Sequence, residues 1–263
     1  MSHLDAFGAS LAIALSAMTL LWLVSLARRD ASVVDPFWGA AFALVAWGVA
    51  ALAGTPISGR PLLLLALVSA WAARLTAYLL WRSRGKGEDY RYRAMRERWG
   101  DRFPLVSLGT VFLLQGALVA IVSLPVQHGL TAGAVGPLGL VDVVGAAIVA
   151  IGLFFEAVGD AQLAAFKADP DNRGQVMDRG LWRYTRHPNY FGDFCVWWGL
   201  FLVSQGGAFA WWTLVGPVVM STLLLRVSGV ALLESTITER RPAYAAYIRR
   251  TSTFFPWPPR ADR

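Results

Sequence analysis

Charge and cysteine are scarce in this chain of 263 residues: 16% of the residues are charged, and Cys195 is the single cysteine. Soluble domains carry about 25% charged residues. A 56% hydrophobic composition with 12 tryptophans therefore reads as an integral membrane protein. One cysteine excludes an internal disulfide, and the Cys/His spacing of a metal site is missing, so no metal is expected. The Gly-x-Gly-x-x-Gly fingerprint is missing too, which excludes a Rossmann-type nucleotide site. The net charge of +7 does not imply nucleic acid. Basic residues beside membrane spans set orientation and meet anionic lipid, so membrane lipid is an expected partner and nucleic acid is not.

What the chain does have is apolar runs. Seven spans are expected, at about residues 7–27, 33–53, 61–81, 105–124, 140–166, 190–204 and 209–225, since about 20 apolar residues cross the hydrocarbon layer. The sixth is short, and the fifth is long enough to protrude. Between them, 82–103 reads as a large polar loop and 125–139 as a loop of glycine, proline and small residues. Residues from 226 onward read as a polar tail, helical and then an extended interfacial anchor at 254–259. Successive connections hold 2, 1, 8, 0, 5, 0 and 7 Lys and Arg. This alternation places the N-terminus outside and the C-terminus in the cytoplasm. The expected architecture is an all-α bundle of about seven transmembrane helices forming a single membrane domain, 1–263. It divides into 1–104, three spans and a basic loop, and 105–263, four spans and a tail. The location is the inner (plasma) membrane.

Several polar residues fall where they are expensive. Asp35 precedes Pro36 at a span start, where it either caps the helix or faces an internal cavity. Arg74 lies inside the third span, one turn from Trp71 and from Tyr78, and either snorkels or meets protein or ligand. The glycines of Gly85-Lys86-Gly87 leave room for backbone to approach a phosphate, but the stretch is too short and unspecific to be a phosphate-binding motif. Glu156, Asp160 and Lys167 share a face near the end of the fifth span, which is either an amphipathic end or a site. The densest cluster is Arg179 to Asp193, with three Arg, His187, Asn189, Asp193, two Tyr and Trp182 in fifteen residues. Orientation alone needs Lys or Arg, not His-Pro-Asn-Tyr, so this stretch is the candidate ligand site. All the loops rich in chemistry fall on the cytoplasmic side.

The run Gly180-Leu181-Trp182-Arg183-Tyr184-Thr185-Arg186-His187-Pro188-Asn189-Tyr190-Phe191-Gly192-Asp193 resembles the C-terminal domain of the steroid 5α-reductase family. With residues 32–39 and 85–92 it is most similar to that family's bacterial DUF1295-type branch. The resemblance implies a seven-helix bundle with NADPH in the cytoplasmic half. It also implies hydride transfer to a C=C conjugated with a carbonyl in a lipophilic, steroid- or lipid-like substrate. As cofactor-binding residues it implies Asn189, Asp193, Asp160, Lys167, Arg186, His187, Arg74, Tyr78, Arg84 and Lys86. At the substrate carbonyl the family's Glu corresponds to Asp35 after a small shift, and its Tyr to Trp71. A phenol must then come from Tyr90 or Tyr92, with Tyr90 taken as the catalytic one. A rival class shares part of the pattern. Arg186-His187-Pro188-x-Tyr190-x-Gly192 with Glu234 and the tail also resembles isoprenylcysteine carboxyl methyltransferases, which use S-adenosylmethionine. A third class is a scaffold whose basic loops bind headgroups.

Overall fold

The computed structural model describes residues 1–132, 137–227, 229, 230, 234 and 244–260. The chain is about 80% helical, with no strands among the described residues. Among the described residues, five helical segments are long and apolar enough to cross a membrane: His3–Arg28, Ala31–Ala53, Gly59–Ser83, Tyr90–Val122 and Leu140–Ala168. The other apolar helical stretches are Pro188–Gln205 and the shorter Trp211–Val227.

The chain divides into two compact units: residues 1–143 with 200–216, and 144–199 with 217–263. In the first unit, α1 (His3–Arg28) opens with a capping box. The Ser2 hydroxyl accepts from Asp5 N at 3.2 Å, and the Asp5 carboxylate accepts from Ser2 N at 3.1 Å, which satisfies donors that the first turn leaves open. Helix α2 (Val34–Ala53) ends at Gly54 in the left-handed region, and α3 (Gly59–Ser83) packs along it. Gly39 permits that approach: a Cβ there would lie 3.1 Å from the Ala72 carbonyl oxygen. Phe42 and Trp71 meet edge-on between the two helices at 5.4 Å, both fully buried.

Two expected loops are helical. The 82–103 stretch holds α4 (Tyr90–Trp99), started by the Asp89 carboxylate accepting from Arg91 N. The Arg96 guanidinium folds back on Glu88 at 2.7 and 3.0 Å and stacks on Phe103 at 4.2 Å. Alternating polar and aromatic residues hid this short helix. It continues through α5 (Phe103–Ser107), a π-helical stretch Leu108–Leu113, and α6 (Leu114–Val122). The 125–139 stretch begins with α7 (Leu124–Thr131), with Pro125 in its first turn, where proline's missing N–H costs nothing. Residues 125–130 are all buried. Gln127 donates to the Ala120 carbonyl, and the His128 ring meets the Ala208 carbonyl at 2.8 Å. Residues 133–136 lie outside the described residues.

The first unit also contains a buried ion pair. Arg60 and Asp142, 3% and 1% exposed, are joined by two hydrogen bonds of 2.7 and 2.8 Å. The lone cation of its connection is thus neutralised.

Helix α8 (Leu140–Ala168) and helix α9 (Pro188–Gln205) form the frame of the second unit. Their facing surfaces carry glycine at seven-residue spacing: Gly145, Gly152 and Gly159 on α8, Gly192 and Gly199 on α9. A Cβ on Gly192 would lie 2.5 Å from the Gly152 carbonyl oxygen, and one on Gly199 2.6 Å from that of Gly145. The backbones therefore touch, as small-residue interfaces between apolar helices allow. Helix α10 (Val215–Thr222) runs into a π-helical stretch Leu223–Val227, and α11 (Tyr244–Arg250) opens the tail. The expected tail helix is present over those last residues, while residues 240–243 lie outside the described ones.

Candidate functional site

The glycine contact brings four polar groups toward one place in the second unit. Glu156 and Asp160, on successive turns of α8, are 2% and 4% exposed, so they line the inner face of α8 rather than an exposed amphipathic end. Lys167 is exposed. Opposite them, on the first turn of α9, the Asn189 amide donates to the Asp160 carboxylate at 3.3 Å. Asp193 follows one turn later, with a carboxylate oxygen out of contact with solvent. Pro188 packs on Gly159, which sets the start of α9 against α8.

The stretch before α9 is held by hydrogen bonds that fold it onto both α8 and the tail. The Trp182 indole donates to the Gly159 carbonyl at 2.9 Å, and Leu181 N donates to Gln162 at 2.9 Å. Tyr247 of α11 donates its hydroxyl to the Trp182 carbonyl. Thr185 and Ser252 form a parallel bridge, with Arg186 N donating to the Ser252 carbonyl at 2.9 Å. Trp257 N donates to the Tyr184 carbonyl at 2.9 Å. Phe254, 4% exposed, sits edge-on to Phe194 at 5.6 Å. The tail is therefore docked on the motif and on α9.

Arg186, expected among the cofactor-binding residues, is the centre of this clamp. Its guanidinium pairs bidentately with Glu234 at 2.7 and 2.9 Å. It also donates to the carbonyls of Thr251 and Ile248 and to the Thr253 hydroxyl. All five of its N–H groups meet protein acceptors. His187, 4% exposed, meets Glu234 at 2.9 Å and stacks on Tyr190 at 5.5 Å. Burial pushes the Glu234 carboxyl up, but hydrogen bonds from His187 and Arg186 and their charge outweigh it and bring it down to about 2. Burial likewise pushes the Tyr244 phenol up, with help from the Glu234 charge, to about 12.

Beside the motif lies a cleft of about 610 Å³ lined by Arg179, Arg183, Arg250 and Arg260, with Gly180 and Asp178. Asp178 pairs with Arg250. Arg179 and Arg183 belong to the stretch expected as the ligand site, whereas Arg250 and Arg260 of the tail were not expected there. Only the tail's return to the motif assembles them, which no spacing in the sequence signals.

The remaining expected residues lie in the first unit. Asp35 does not cap α2: Val33 is at the cap position, and Asp30 caps the short 3₁₀ turn before it. The Asp35 carboxylate instead accepts from the Tyr92 hydroxyl at 2.6 Å and from Arg91 at 2.6 Å. Of the two phenols considered, Tyr92 is 7% exposed and reaches Asp35, whereas Tyr90 is 60% exposed. Trp71 is fully buried against Phe42. The Arg74 guanidinium lies 5.5 Å from the centre of the Tyr78 ring, so the two expected partners do meet. Arg84 and Lys86 line a second cavity, also about 610 Å³, at the ends of α1 and α3.

A protein of the fission yeast Schizosaccharomyces pombe (strain 972 / ATCC 24843), "Uncharacterized protein C594.04c", is 26% identical over 275 aligned positions, covering 90% of this chain and 76% of its own. No solved structure matches the chain. The sequence profile of DUF1295, "Protein of unknown function", matches residues 21–251. The chain thus belongs to the DUF1295 family, which is associated with steroid 5α-reductase-like proteins.

Proposed function

We propose that the protein is a multi-pass membrane reductase that uses NADPH to reduce the C=C of a lipophilic enone-like substrate. The single observation that carries this reading is the buried polar group set between α8 and α9: the Asn189 amide on Asp160, with Glu156 and Asp193 on the adjoining turns. Four polar side chains in an apolar, glycine-packed interface are costly unless they serve a ligand. The donor set of the second unit fits a phosphorylated dinucleotide. An amide suits a carboxamide, and carboxylates suit ribose hydroxyls. The guanidinium groups of Arg179, Arg183, Arg250 and Arg260 suit phosphates. Bound NADPH supplies the hydride. The protein's part is to hold the nicotinamide end at Asn189 and Asp193 and to present a hydrogen-bond donor to the substrate carbonyl. In the same reading α9 and Trp211–Val227 complete seven spans, with the N-terminus outside and the site on the cytoplasmic side of the plasma membrane.

The clamp of Arg186 and His187 on Glu234 favours a second reading, S-adenosylmethionine-dependent methyl transfer, because those residues carry the methyltransferase resemblance. Adenosylmethionine has no phosphate for the arginine cleft, which weighs against it. A side-by-side thermal-shift titration with NADPH, NADH and S-adenosylmethionine decides, since a ligand that binds only the folded state raises the melting temperature. NADPH alone is expected to stabilise. Asn189→Ala and Asp193→Ala are expected to abolish that shift in protein that still folds. Stabilisation by S-adenosylmethionine alone, or normal NADPH affinity in both site variants, overturns the reading.

A further inference from the structure

The cavity in the first unit differs in character from the arginine cleft. One end is basic: Arg28 ends α1, and Arg84 and Lys86 follow α3. None of the three takes part in an ion pair among the described residues. The carboxylate at this end, Asp30, is already used, accepting from the Ser32 amide at 2.9 Å and from the Ser32 hydroxyl. The other end is apolar, walled by Leu21 and Val24 of α1, Phe37 of α2 and Leu80 of α3. Val24 is 45% and Leu80 55% exposed, although both lie on helices apolar enough to cross a membrane. The Thr76 hydroxyl, one turn before Leu80 on α3, has no hydrogen-bond partner. Gly85, with φ of 73°, and Gly87 flank Lys86 and leave the rim open, since nothing lies within 4 Å of where their side chains would begin.

A phosphate with no hydrophobic part would use the rim and leave the apolar wall bare. A neutral lipid would use the wall and leave three cations unmatched. A molecule with a phosphate joined to an acyl chain satisfies both. Cations at the end of membrane helices also match the anionic lipid of a leaflet surface. We propose that this cavity binds an anionic phospholipid, with its phosphate at Arg28, Arg84 and Lys86 and one acyl chain between α1 and α3. The proposal stands apart from the reductase reading and takes Arg84 and Lys86 away from the cofactor.

The test uses the full chain, purified in neutral detergent and stripped of co-purified lipid, with tryptophan fluorescence melting as readout. Phosphatidylglycerol is expected to raise the melting temperature saturably, with a midpoint that weakens as salt is added. Phosphatidylcholine and inorganic phosphate are expected to leave it unchanged. The double variant Arg84→Gln/Lys86→Gln should weaken the phosphatidylglycerol midpoint tenfold or more and should melt like the parent without lipid, because neither side chain holds an ion pair. Arg28→Gln, on a different helix, should weaken the midpoint in the same direction and decides the matter if the double variant does not fold. Several outcomes overturn the proposal: an equal response to phosphatidylcholine, a shift with inorganic phosphate alone, displacement of the lipid by NADPH, no response to phosphatidylglycerol, or unchanged midpoints in the variants.

Discussion

Replacing Glu234 by Gln keeps the shape of the side chain and removes its charge. Arg186 is 5% exposed and Glu234 18%, so the substitution leaves a buried guanidinium without its counter-ion. Two routes give the size of the effect. The carboxyl falls from an ordinary 4.5 to about 2 in the folded protein; at 1.36 kcal/mol per pH unit this is about 3 kcal/mol. Removing one partner of a buried ion pair costs about 3–5 kcal/mol. At roughly 2–4 °C per kcal/mol for a chain of this size, the melting temperature should fall by about 6–20 °C. The pH dependence gives a second signature. A carboxyl whose pKa is lower folded than unfolded stabilises fully above the unfolded value and loses that contribution as pH falls toward the folded one. For Glu234 the window runs from 4.5 down to about 2. Melting curves in detergent, recorded at neutral pH and at steps through that window, check both. The parent should lose an increment of stability that the Glu234→Gln variant never had. Equal melting temperatures at neutral pH, or acid profiles that run parallel, would refute the clamp as the source of the stability.

Two further expectations follow from packing. Gly192→Ala puts a methyl group 2.5 Å from the Gly152 carbonyl oxygen; overpacking of this kind costs about 1–3 kcal/mol. It should also spread Asn189 from Asp160, so NADPH stabilisation should weaken more than overall melting, whereas Gly8→Ala, where nothing lies within 4 Å, serves as the silent control. Arg60→Met or Asp142→Leu alone should lower the melting temperature sharply, and the double substitution should recover most of the loss, because an apolar pair can replace a buried ion pair; additive losses in a double-mutant cycle would count against it.

The long helices were legible because a membrane imposes one pattern on them. The fifth span was expected at 140–166, and α8 runs Leu140–Ala168. Helices α4 and α7 were not legible as such. Arginines fill α4, and α7 opens with a proline and contains a glycine; only contacts distant in sequence make them helical. The site divides in the same way. Asn189 and Asp160 both stood out as polar residues in apolar helices, but their pairing was not written in the sequence. The partner of Arg186 was not legible either, because nothing in a string of letters ties an arginine to a glutamate 48 residues later. Gly145, Gly152 and Gly159 stand in plain view, but their spacing has meaning only once α9 supplies the matching pair. Asp35 shows the limit most directly: the capping position and the partner for Tyr92 are two residues apart, and local sequence does not distinguish them.

The docking of the tail has a consequence for the order in which the protein is made. Thr185 waits for the carbonyl of Phe254, 69 residues later, and Arg186 for that of Thr251, 65 residues later. The signature stretch is therefore synthesised well before the acceptors that complete it. During that interval the growing chain holds an arginine and a histidine destined for burial with nothing to receive them, and the apolar helices around them have already left the ribosome. Whatever inserts this protein into the bilayer must leave the signature accessible until residues 251–254 have been made. A ribosome that stalls before residue 251 would release a product with its helices in place and its site unfinished.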